Sequence, residues 1–395
     1  MSGNKLTISL YDNTDQELHP VSFGETASIY TCGITPYDSS HLGHVATFTY
    51  FDVLVRLLMS YEIDVTLVRN VTDLDDPLFE RVRQSGESLE DLVQRNVSQL
   101  DEDLKMLNCI APTYEPYSSQ YIPQMILAIS KLLGSGDAYT IDGWTYFDTA
   151  KRKLFPEFDR LRKLSPELLL EIASERGADP NDPRAKNPLD FVLWKPSASD
   201  EPTFDTPFGN GRPGWHIECS VMALELLGDT IDIHGGGDDL LFPHHACEVA
   251  QSETLTGKLF VHHFMHVAPV AYEGEKMSKS LGNLVYADTI IREIGEMCTR
   301  MMLLAHHYRE GYEHHDSDAQ SAQARCARWS EALVQFSGEP VLGKLYESVC
   351  QALRKDLDTP LALELIDSAV EEAISTGDQS LKADISAAKQ LLGFK

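Results

Sequence analysis

The sequence lacks the paired cysteines that would cross-link a small secreted fold or hold a zinc finger. Its seven cysteines are odd in number, widely spaced along 395 residues, and never form a Cys-x-x-Cys pair. This pattern favours a reduced, cytoplasmic protein over a disulfide scaffold. There is also no run of about 20 apolar residues, the length that a membrane span requires, and no basic start followed by an apolar stretch. We therefore expect a cytoplasmic protein without a membrane partner.

Positive charge is also scarce. There are 33 lysines and arginines against 61 aspartates and glutamates, which gives a net charge of −28. Nucleic-acid-binding proteins usually carry a basic stripe, whereas the clusters here, KRK at 151–153 and RLRK at 160–163, are small. Because so acidic a protein repels a polyanion at long range, we expect no tRNA partner.

The pattern that is present is that of an α/β protein. It predicts short strands at 6–10 and 28–32, an apolar helix at 42–59 and a buried strand at 64–71. A strand, a loop, a helix and a second strand begin a parallel α/β unit, and similar text resumes at 215–242. We predict an α/β fold: a Rossmann-like parallel-sheet nucleotide-binding domain with an α+β insertion and a C-terminal helical bundle.

Five parts are expected along the chain. The first half of the nucleotide-binding domain is followed by an inserted region of helices and short strands, and then by the second half of the domain. A connecting segment that begins with a lysine-containing loop leads to the helical bundle. The predicted ranges are 1–100, 101–205, 206–275, 276–310 and 311–395.

Three motifs suit phosphate or nucleotide binding. In HLGH (41–44), at the start of the predicted helix, backbone N–H groups and two histidines can face a phosphate. In KMSKS (276–280), two lysines form a cationic clamp between Gly274 and Gly282. In HGGGDD (234–239), glycines admit a flat ligand and a carboxylate can accept ribose hydroxyls. Singly, each has an ordinary alternative: a helix start, a solvated loop or a glycine-rich turn.

A fourth set of residues has the chemistry of a metal site. Cys32 precedes HLGH, whereas Cys219, His244, His245 and Glu248 lie in the second α/β half. His244 and Glu248 are four residues apart and would share one face of a helix. Two cysteines, a histidine and a carboxylate suit zinc, with room for a substrate thiolate. The alternative is a set of core residues whose polar groups are satisfied.

HLGH, followed about 235 residues later by KMSKS, resembles the paired signatures of class I aminoacyl-tRNA synthetases. The stretches CGITPYDSSHLGH, NVTDLDDPLFER, GWHIECS and HGGGDDLLFPHHACE narrow the resemblance to the cysteinyl-tRNA synthetase family. Within it, the chain looks most like the mycothiol-pathway cysteine ligases, which use ATP to join cysteine to the amine of glucosaminyl-inositol. CGITPYD, DDPLFER, ERGADP (175–180) and GRPGWHIEC carry that likeness, and only about 115 residues follow KMSKS.

The resemblance implies an ATP-dependent, AMP-forming cysteine ligase with L-cysteine, ATP and glucosaminyl-inositol as substrates. It implies one Zn²⁺ per chain, and Mg²⁺ accompanying ATP. Zinc would be held by Cys32, Cys219 and His244, with Glu248 as a fourth candidate because the synthetases carry a glutamate there. A monomer or a weak dimer is expected.

The resemblance also implies roles for residues around the reacting groups. His41 and His44 would support the α-phosphate during catalysis, and Lys276 and Lys279 the departing pyrophosphate. Cysteine and its adenylate would be bound by a larger set: Cys32, Gly33, Ile34, Thr35, Thr47, Asn70, Val71, Thr72, Trp215, Gly237, Asp238, Asp239 and Val270.

Three alternatives stay open at the level of sequence. They are a truncated cysteinyl-tRNA synthetase, a cysteine ligase with a different amine acceptor, and a non-catalytic paralogue that only binds cysteine or a nucleotide. Product analysis separates the first two from the main hypothesis, and pyrophosphate exchange tests the third. Intact HLGH, KMSKS and metal-ligand positions argue against a retired site.

Overall fold

The computed structural model of the protein describes residues 5–277, 282–334 and 336–395, and only the backbone of Glu275 and Lys276. The strands are β1 (Leu6–Asp12), β2 (Glu17–Phe23), β3 (Thr26–Ile34), β4 (Asp64–Val71), β5 (Ala138–Ile141), β6 (Trp144–Phe147), β7 (Phe191–Lys195), β8 (Arg212–Pro213), β9 (Ile231–Gly237), β10 (Val261–Val267), β11 (Val270–Tyr272), β12 (Glu275–Lys276) and β13 (Tyr312–Glu313). The helices are α1 (Leu42–Ser60), α2 (Asp76–Ser85), α3 (Leu89–Met106), α4 (Ile122–Ser135), α5 (Asp159–Arg162), α6 (Pro166–Glu175), α7 (Trp215–Leu227), α8 (Ala246–Thr256), α9 (Ala287–Ile294), α10 (Glu296–Leu304), α11 (Asp316–Leu333), α12 (Lys344–Leu353), α13 (Thr359–Thr376) and α14 (Gln379–Leu391).

A parallel sheet in the order β10-β9-β3-β4 lies at the centre of the fold. β3 leads through α1 to β4 on one side, whereas its other neighbour, β9, comes from the second half of the chain. The carboxyl ends of parallel strands share one edge, and the place where connections diverge is where such sheets bind ligands. The predicted α/β fold with a parallel sheet is confirmed, and the crevice between β3 and β9 is the expected site.

Helix α1 forms much of the core beneath this edge. Its apolar residues, such as Leu54 and Leu58, are fully buried, and the helix packs against β4, β9 and β10. Among the described helices, α1 alone has the length and apolar composition of a membrane span. However, 78% of that stretch is buried inside the protein, which is the arrangement of a core helix.

The chain between the two halves of the parallel sheet contributes a separate antiparallel sheet, β5-β6-β7-β8. A small sheet, β12-β11-β13, follows the main one, β1 and β2 form an antiparallel hairpin, and helices α9 to α14 contain most of the described residues after 286. The five-part division with its boundaries stays a prediction.

The N-terminal hairpin is joined to the helices near the other end of the chain. The backbone N–H of Tyr11 donates to Oδ1 of Asp356 (2.9 Å), and so does the Tyr308 hydroxyl (2.6 Å). The N–H of Asp356 in turn donates to the carbonyl of Ser9 (2.7 Å). Asp356 is buried and adopts a left-handed backbone (φ 67°). This contact fixes β1 on the helical part of the protein.

Candidate metal and adenylation site

Cys32, Cys219, His244 and Glu248 meet at one buried point. One ligand atom from each lies within 4.8 Å of all the others. Cys32 is near the end of β3, Cys219 is in the second turn of α7, and His244 and Glu248 flank the start of α8. His244 Nε2 is 2.8 Å from Glu248 Oε1, and Cys32 Sγ is 3.6 Å from the same oxygen. The structure therefore brings together four residues that are up to 216 positions apart in sequence.

The electrostatics of this cluster favour the charged forms of Cys219, His244 and Glu248 despite their burial, whereas burial raises the pKa of the Cys32 thiol well above its usual range. A hydrogen bond from the Cys32 thiol lowers the pKa of Cys219 to about 6, against the effect of burial. Burial by itself would lower the pKa of His244, but the charges of Glu248 and Cys219 raise it to about 10. Burial would likewise raise the pKa of Glu248, but the imidazoles of His234 and His244 hold it far below its usual range. A buried thiolate and carboxylate form a donor set that a divalent cation would neutralise.

Two further histidines join the cluster: His245, which the sequence places among the metal-like residues, and His234, which it does not. Cys32, His234, His245 and Glu248 form a second group whose ligand atoms lie within 4.8 Å of one another. His234 Nδ1 and His245 Nε2 are buried and have no hydrogen-bond partner among the described residues. His234 is paired with Tyr30 in the parallel register of β9 and β3. The position of His234 beside the cluster could be predicted only from that strand register, which requires knowing that β9 pairs with β3.

His244 is held in place from two sides. The ring of Trp215 lies against its ring, with centroids 4.2 Å apart. Nδ1 of His244 shares a hydrogen bond with Nδ1 of His216 (2.9 Å), so that Nε2 faces Glu248. Hydrogen bonding to one imidazole nitrogen commonly orients the other toward a metal. Half-buried Trp215 thus forms a wall beside the cluster, on the same helix that carries Cys219.

The HLGH motif begins α1, as the sequence predicts. His41 caps the helix, since its Nδ1 accepts from the Gly43 N–H (3.1 Å), and its own N–H donates to His44 Nδ1 (3.4 Å). The two half-buried imidazoles stack with centroids 3.9 Å apart. Buried Thr47 donates its hydroxyl to the Gly43 carbonyl (3.0 Å). A helix start with two stacked imidazoles is chemically suited to an anionic phosphate.

The chain around KMSKS lies beside HLGH. The N–H of Leu42 donates to the carbonyl of Val285 (3.0 Å), and the N–H of Ala287 donates to the carbonyl of Ser40 (3.1 Å). Lys279 and the side chain of Lys276 lie outside the described residues. The described chain thus brings the segment that follows the second motif to the first one.

Gly33 and Asn70 join the carboxyl ends of β3 and β4. A Cβ atom at position 33 would lie 1.7 Å from the Asn70 carbonyl oxygen, so no other residue fits without a shift. The Gly33 N–H donates to Asn70 Oδ1 (2.9 Å), and Asn70 Nδ2 donates to Thr72 Oγ1 (3.2 Å). The Thr72 N–H donates to the carbonyl of Ile34, which is paired with Val71. These bonds fix the backbone at the carboxyl ends of β3 and β4, where the sequence predicts the adenylate to bind. Half-buried Thr35 is the residue after the end of β3.

The aspartates of HGGGDD lie at the end of β9. Asp238 accepts hydrogen bonds from Asn13 Nδ2 (3.0 Å) and Arg160 Nη1 (2.9 Å). Asp239, the next residue, forms an ion pair with Arg176 (3.0 Å). These contacts were not expected from the sequence, because the arginines come from the inserted region.

Val270 lies on a different strand from HGGGDD. It is buried in β11, and its carbonyl oxygen lies 3.5 Å from the Met277 N–H. It is thus adjacent to the segment that leads into KMSKS.

The sequence matches a family model described as the tRNA synthetases class I (C) catalytic domain over residues 19–324. It is similar to proteins named L-cysteine:1D-myo-inositol 2-amino-2-deoxy-alpha-D-glucopyranoside ligase. The one from Saccharomonospora viridis is 39% identical over 400 residues, which cover 99% of this chain and 96% of that protein. The one from Nocardia farcinica is 39% identical over 397 residues, with coverage of 98% and 95%.

The fold is similar to solved class I synthetase structures. Methionyl-tRNA synthetase of Mycobacterium tuberculosis in complex with methionyl-adenylate superposes with a TM-score of 0.64 at 15% identity, covering 93% of this chain and 89% of that one. LeuRS of Agrobacterium radiobacter gives a TM-score of 0.64 at 12% identity, covering 93% and 83%. At these identities the likeness shows the fold alone.

Proposed function

Because this chain belongs to the class I synthetase-like family of L-cysteine:1D-myo-inositol 2-amino-2-deoxy-alpha-D-glucopyranoside ligases, we propose that it activates L-cysteine with ATP and transfers the cysteinyl group to the amine of glucosaminyl-inositol. One observation carries the proposal. The buried Cys32-Cys219-His244-Glu248 cluster lies at one end of a loop whose other end, nine residues on, is the HLGH helix start. A thiol-selecting centre and a phosphate-binding helix start are therefore joined by a short segment.

We propose that the metal of this cluster is Zn²⁺, one per chain. Cys32, Cys219 and His244 would hold it, with Glu248 as the fourth candidate. The donor set fits, since soft thiolates, imidazole and a carboxylate are zinc ligands. When bound, the ion supplies a partner for the substrate thiolate that the hydroxyl of serine cannot replace.

The first half of the reaction is positioning and charge stabilisation. Trp215 covers the bound cysteine, and Thr35, Thr47 and Thr72 hold polar groups of the amino acid and its adenylate. The cysteine carboxylate oxygen attacks the α-phosphorus of Mg-ATP, and the bond to the β-phosphate oxygen breaks. His41 and His44 donate to the α-phosphate, and Lys276 and Lys279 neutralise the departing pyrophosphate.

The second half is attack by an amine. The glucosaminyl amine, in its neutral form, attacks the carbonyl carbon of the cysteinyl-adenylate, the bond to the phosphate oxygen breaks, and AMP leaves as the amine loses a proton. An amide results, whereas a tRNA hydroxyl would give an ester. Gly237, Asp238 and Asp239 bind the adenosine portion, Val270 lies beside the base, and the strand ends at Gly33, Ile34, Asn70 and Val71 bind the adenylate.

The remaining parts of the proposal concern setting and organisation. The reaction takes place in the cytoplasm in a monomer or weak dimer, without tRNA; the seven cysteines, all free thiols, suit a reducing compartment. The five predicted parts of the chain are proposed as its domains, with the two nucleotide-binding halves forming the catalytic unit.

A competition assay tests the proposal. Purified enzyme receives L-cysteine and Mg-ATP with glucosaminyl-inositol and tRNA together, and mass spectrometry identifies the cysteinylated product. We expect the amide and AMP, and pyrophosphate exchange that serine does not support. Cysteinyl-tRNA as the sole product would instead identify a synthetase. Cysteinylation of neither acceptor despite exchange would point to another amine, and absence of exchange would point to a binding paralogue.

A further inference from the structure

The segment ERGADP has no role in the reaction described so far. It begins at the end of α6, where Gly177 adopts a left-handed backbone (φ 88°) and the Ala178 N–H bonds back to the Ala173 carbonyl (3.0 Å). This sharp turn ends the helix at Arg176. The motif therefore fixes the position of Arg176 at the end of α6.

Arg176 contacts the nucleotide-binding strand end with a single nitrogen. Its Nη1 is 3.0 Å from the carbonyl oxygen of Asp239 and 3.0 Å from Oδ2 of the same residue. Both the main chain and the side chain of Asp239 are thereby tied to α6.

Arg160, from α5 of the same inserted region, makes the corresponding contact with the preceding aspartate. Its Nη1 and Nη2 lie 2.9 Å and 3.4 Å from the two carboxylate oxygens of Asp238. Asn13 adds a third bond, and the N–H of Arg160 donates to the carbonyl of Thr14 (2.8 Å). The inserted region therefore binds both aspartates of HGGGDD through arginines placed sixteen residues apart.

Apolar packing supports the same attachment. Leu169 and Ala173 of α6 are buried in one cluster with Leu241 and Phe242. Those two residues belong to the irregular turn Leu241–His245, which connects Asp239 and Leu240 to the cluster ligand His244. The helix that carries Arg176 thus supports the chain between the proposed ribose site and the metal cluster.

These ion pairs also neutralise negative charge beside the proposed nucleotide site. Two adjacent carboxylates in a protein of net charge −28 would repel the phosphates of ATP. An arginine beside each carboxylate cancels that charge and leaves the backbone fixed. Half-exposed ion pairs add little to stability, so their placement here is better explained by an effect on a ligand.

We propose that Arg160 and Arg176 are positioning residues for the nucleotide: they hold Asp238 and Asp239 in the conformation that accepts the ribose of ATP, and they neutralise the pair. This rests on the proposed function, in which HGGGDD binds adenosine. Neither arginine is assigned a contact with the substrate. Their loss therefore acts on the binding of ATP and not on the selection of cysteine.

The test uses the full-length, metal-loaded enzyme in cysteine-dependent ATP–pyrophosphate exchange. Arg176→Ala is expected to raise the KM for ATP about fivefold to tenfold, with the KM for cysteine, kcat and metal content near those of the parent. Arg176→Lys keeps the positive charge but replaces the guanidinium nitrogen that contacts both oxygens of Asp239 with an ammonium on a shorter side chain, and it should restore part of the affinity. Arg160→Ala should act in the same direction, and the double variant more strongly.

Arg162→Ala is the matched control. Arg162 lies in α5 as well, and it pairs with exposed Asp159 (2.9 Å) rather than with the nucleotide-binding strand. Its removal takes away the same charge and should leave the KM for ATP unchanged. An unchanged KM for ATP in Arg176→Ala, an equal rise in Arg162→Ala, or a parallel loss of metal and cysteine binding would overturn the proposal.

Calorimetric titration of ATP into the parent enzyme and Arg176→Ala separates this inference from the proposed function. A weaker Kd for ATP in the variant, with the parent failing to catalyse exchange, would retain the positioning role and refute the ligase. Equal Kd values together with intact exchange would refute the positioning role alone. A thermal melt of each variant identifies loss of folding. If Arg176→Ala does not fold, Arg176→Lys and Arg160→Ala replace it, and Kd values for ATP equal to that of the parent in both would refute the positioning role.

Discussion

The imidazole of His244 and the indole of Trp215 stack, with their planes 24° apart and their centroids 4.2 Å apart. Trp215 begins α7, and Cys219 follows four residues later on the same face of that helix. One helix face therefore offers an aromatic wall and a thiolate to the same small space. An amino acid whose sulfur reached the cluster would lie with its backbone groups beside the indole.

Truncating the Trp215 side chain should weaken the binding of cysteine. Trp215→Ala removes the ring that stacks on His244, so we expect the KM for cysteine in pyrophosphate exchange to rise about tenfold, equivalent to about 1.4 kcal/mol. Trp215→Phe should lose less, because an aromatic face remains. Trp144→Ala, in the separate antiparallel sheet, is the control and should leave the KM for cysteine unchanged. Equal KM values for the parent and Trp215→Ala would mean that the indole serves packing only.

Cys219 is expected to decide metal content. Cys219→Ser replaces a soft thiolate in the buried cluster with a hydroxyl, so bound zinc should fall well below about one ion per chain. Mass spectrometry of the metals in dialysed protein measures this. Cys326→Ser, a half-buried cysteine of α11, should leave metal content unchanged. Full zinc occupancy in Cys219→Ser would assign the metal to the second donor set, the one with His234 and His245.

Gly33→Ala should destabilise the protein. The added methyl group would lie 1.7 Å from the Asn70 carbonyl oxygen, so the ends of β3 and β4 must separate. We expect a loss of about 3 kcal/mol in the free energy of unfolding, at the upper end of overpacking costs. Urea denaturation of the parent and the variant measures the difference. Gly24→Ala is the control, since no atom lies within 4 Å of a Cβ there; a loss as large in that variant would contradict the steric explanation.

Asp182 should make the protein more stable at neutral pH than at acidic pH. A hydrogen bond from Arg184 lowers the pKa of Asp182 to about 2. A carboxyl group whose folded pKa lies below its unfolded value of about 4 stabilises the fold above pH 4, and this contribution is lost as the pH falls toward 2. Asp182→Asn should therefore lower the Tm at pH 7 by about 2 °C. The gap should narrow as the pH is lowered from 4 to 3.

The matched control for this pH dependence is Asp159→Asn. Its carboxylate is exposed and pairs only with Arg162 among the described residues, so its replacement should cost little at any pH. A Tm gap for Asp182→Asn that stays constant between pH 7 and pH 3 would show that the lost hydrogen bonds, and not the charge, account for the effect.

The local structure of the central sheet follows closely from the sequence. The buried strand predicted at 64–71 is β4, and the helix predicted at 42–59 is α1, which extends one residue further. Such elements are predictable because their apolar residues recur with one clear period. Strand β2 was missed, because ELHPVSF contains a proline and alternates weakly in burial at an edge.

Parts of the candidate site were less accessible to sequence reasoning. Cys32, Cys219, His244 and Glu248 could be grouped through the family resemblance, and they do meet. His234 was read only as the first letter of a glycine motif, since its place depends on which strand pairs with β3. The bonds from Arg160 and Arg176 depend on how the inserted region folds back over β9, which no local pattern specifies.

The hydrogen bonds between Asp356 and β1 limit where this chain can be truncated or fused to other helices. The carboxylate and the main chain of Asp356 bond to Tyr11 and Ser9 of the first strand, so β1 cannot complete its hydrogen bonds until residue 356 has been made. A fragment that ended after KMSKS would leave β1 without its contact to Asp356. Replacing the helices after residue 316 would thus remove Asp356 and would require another residue to hydrogen-bond to β1. During synthesis on the ribosome, β1 would complete its hydrogen bonds only late.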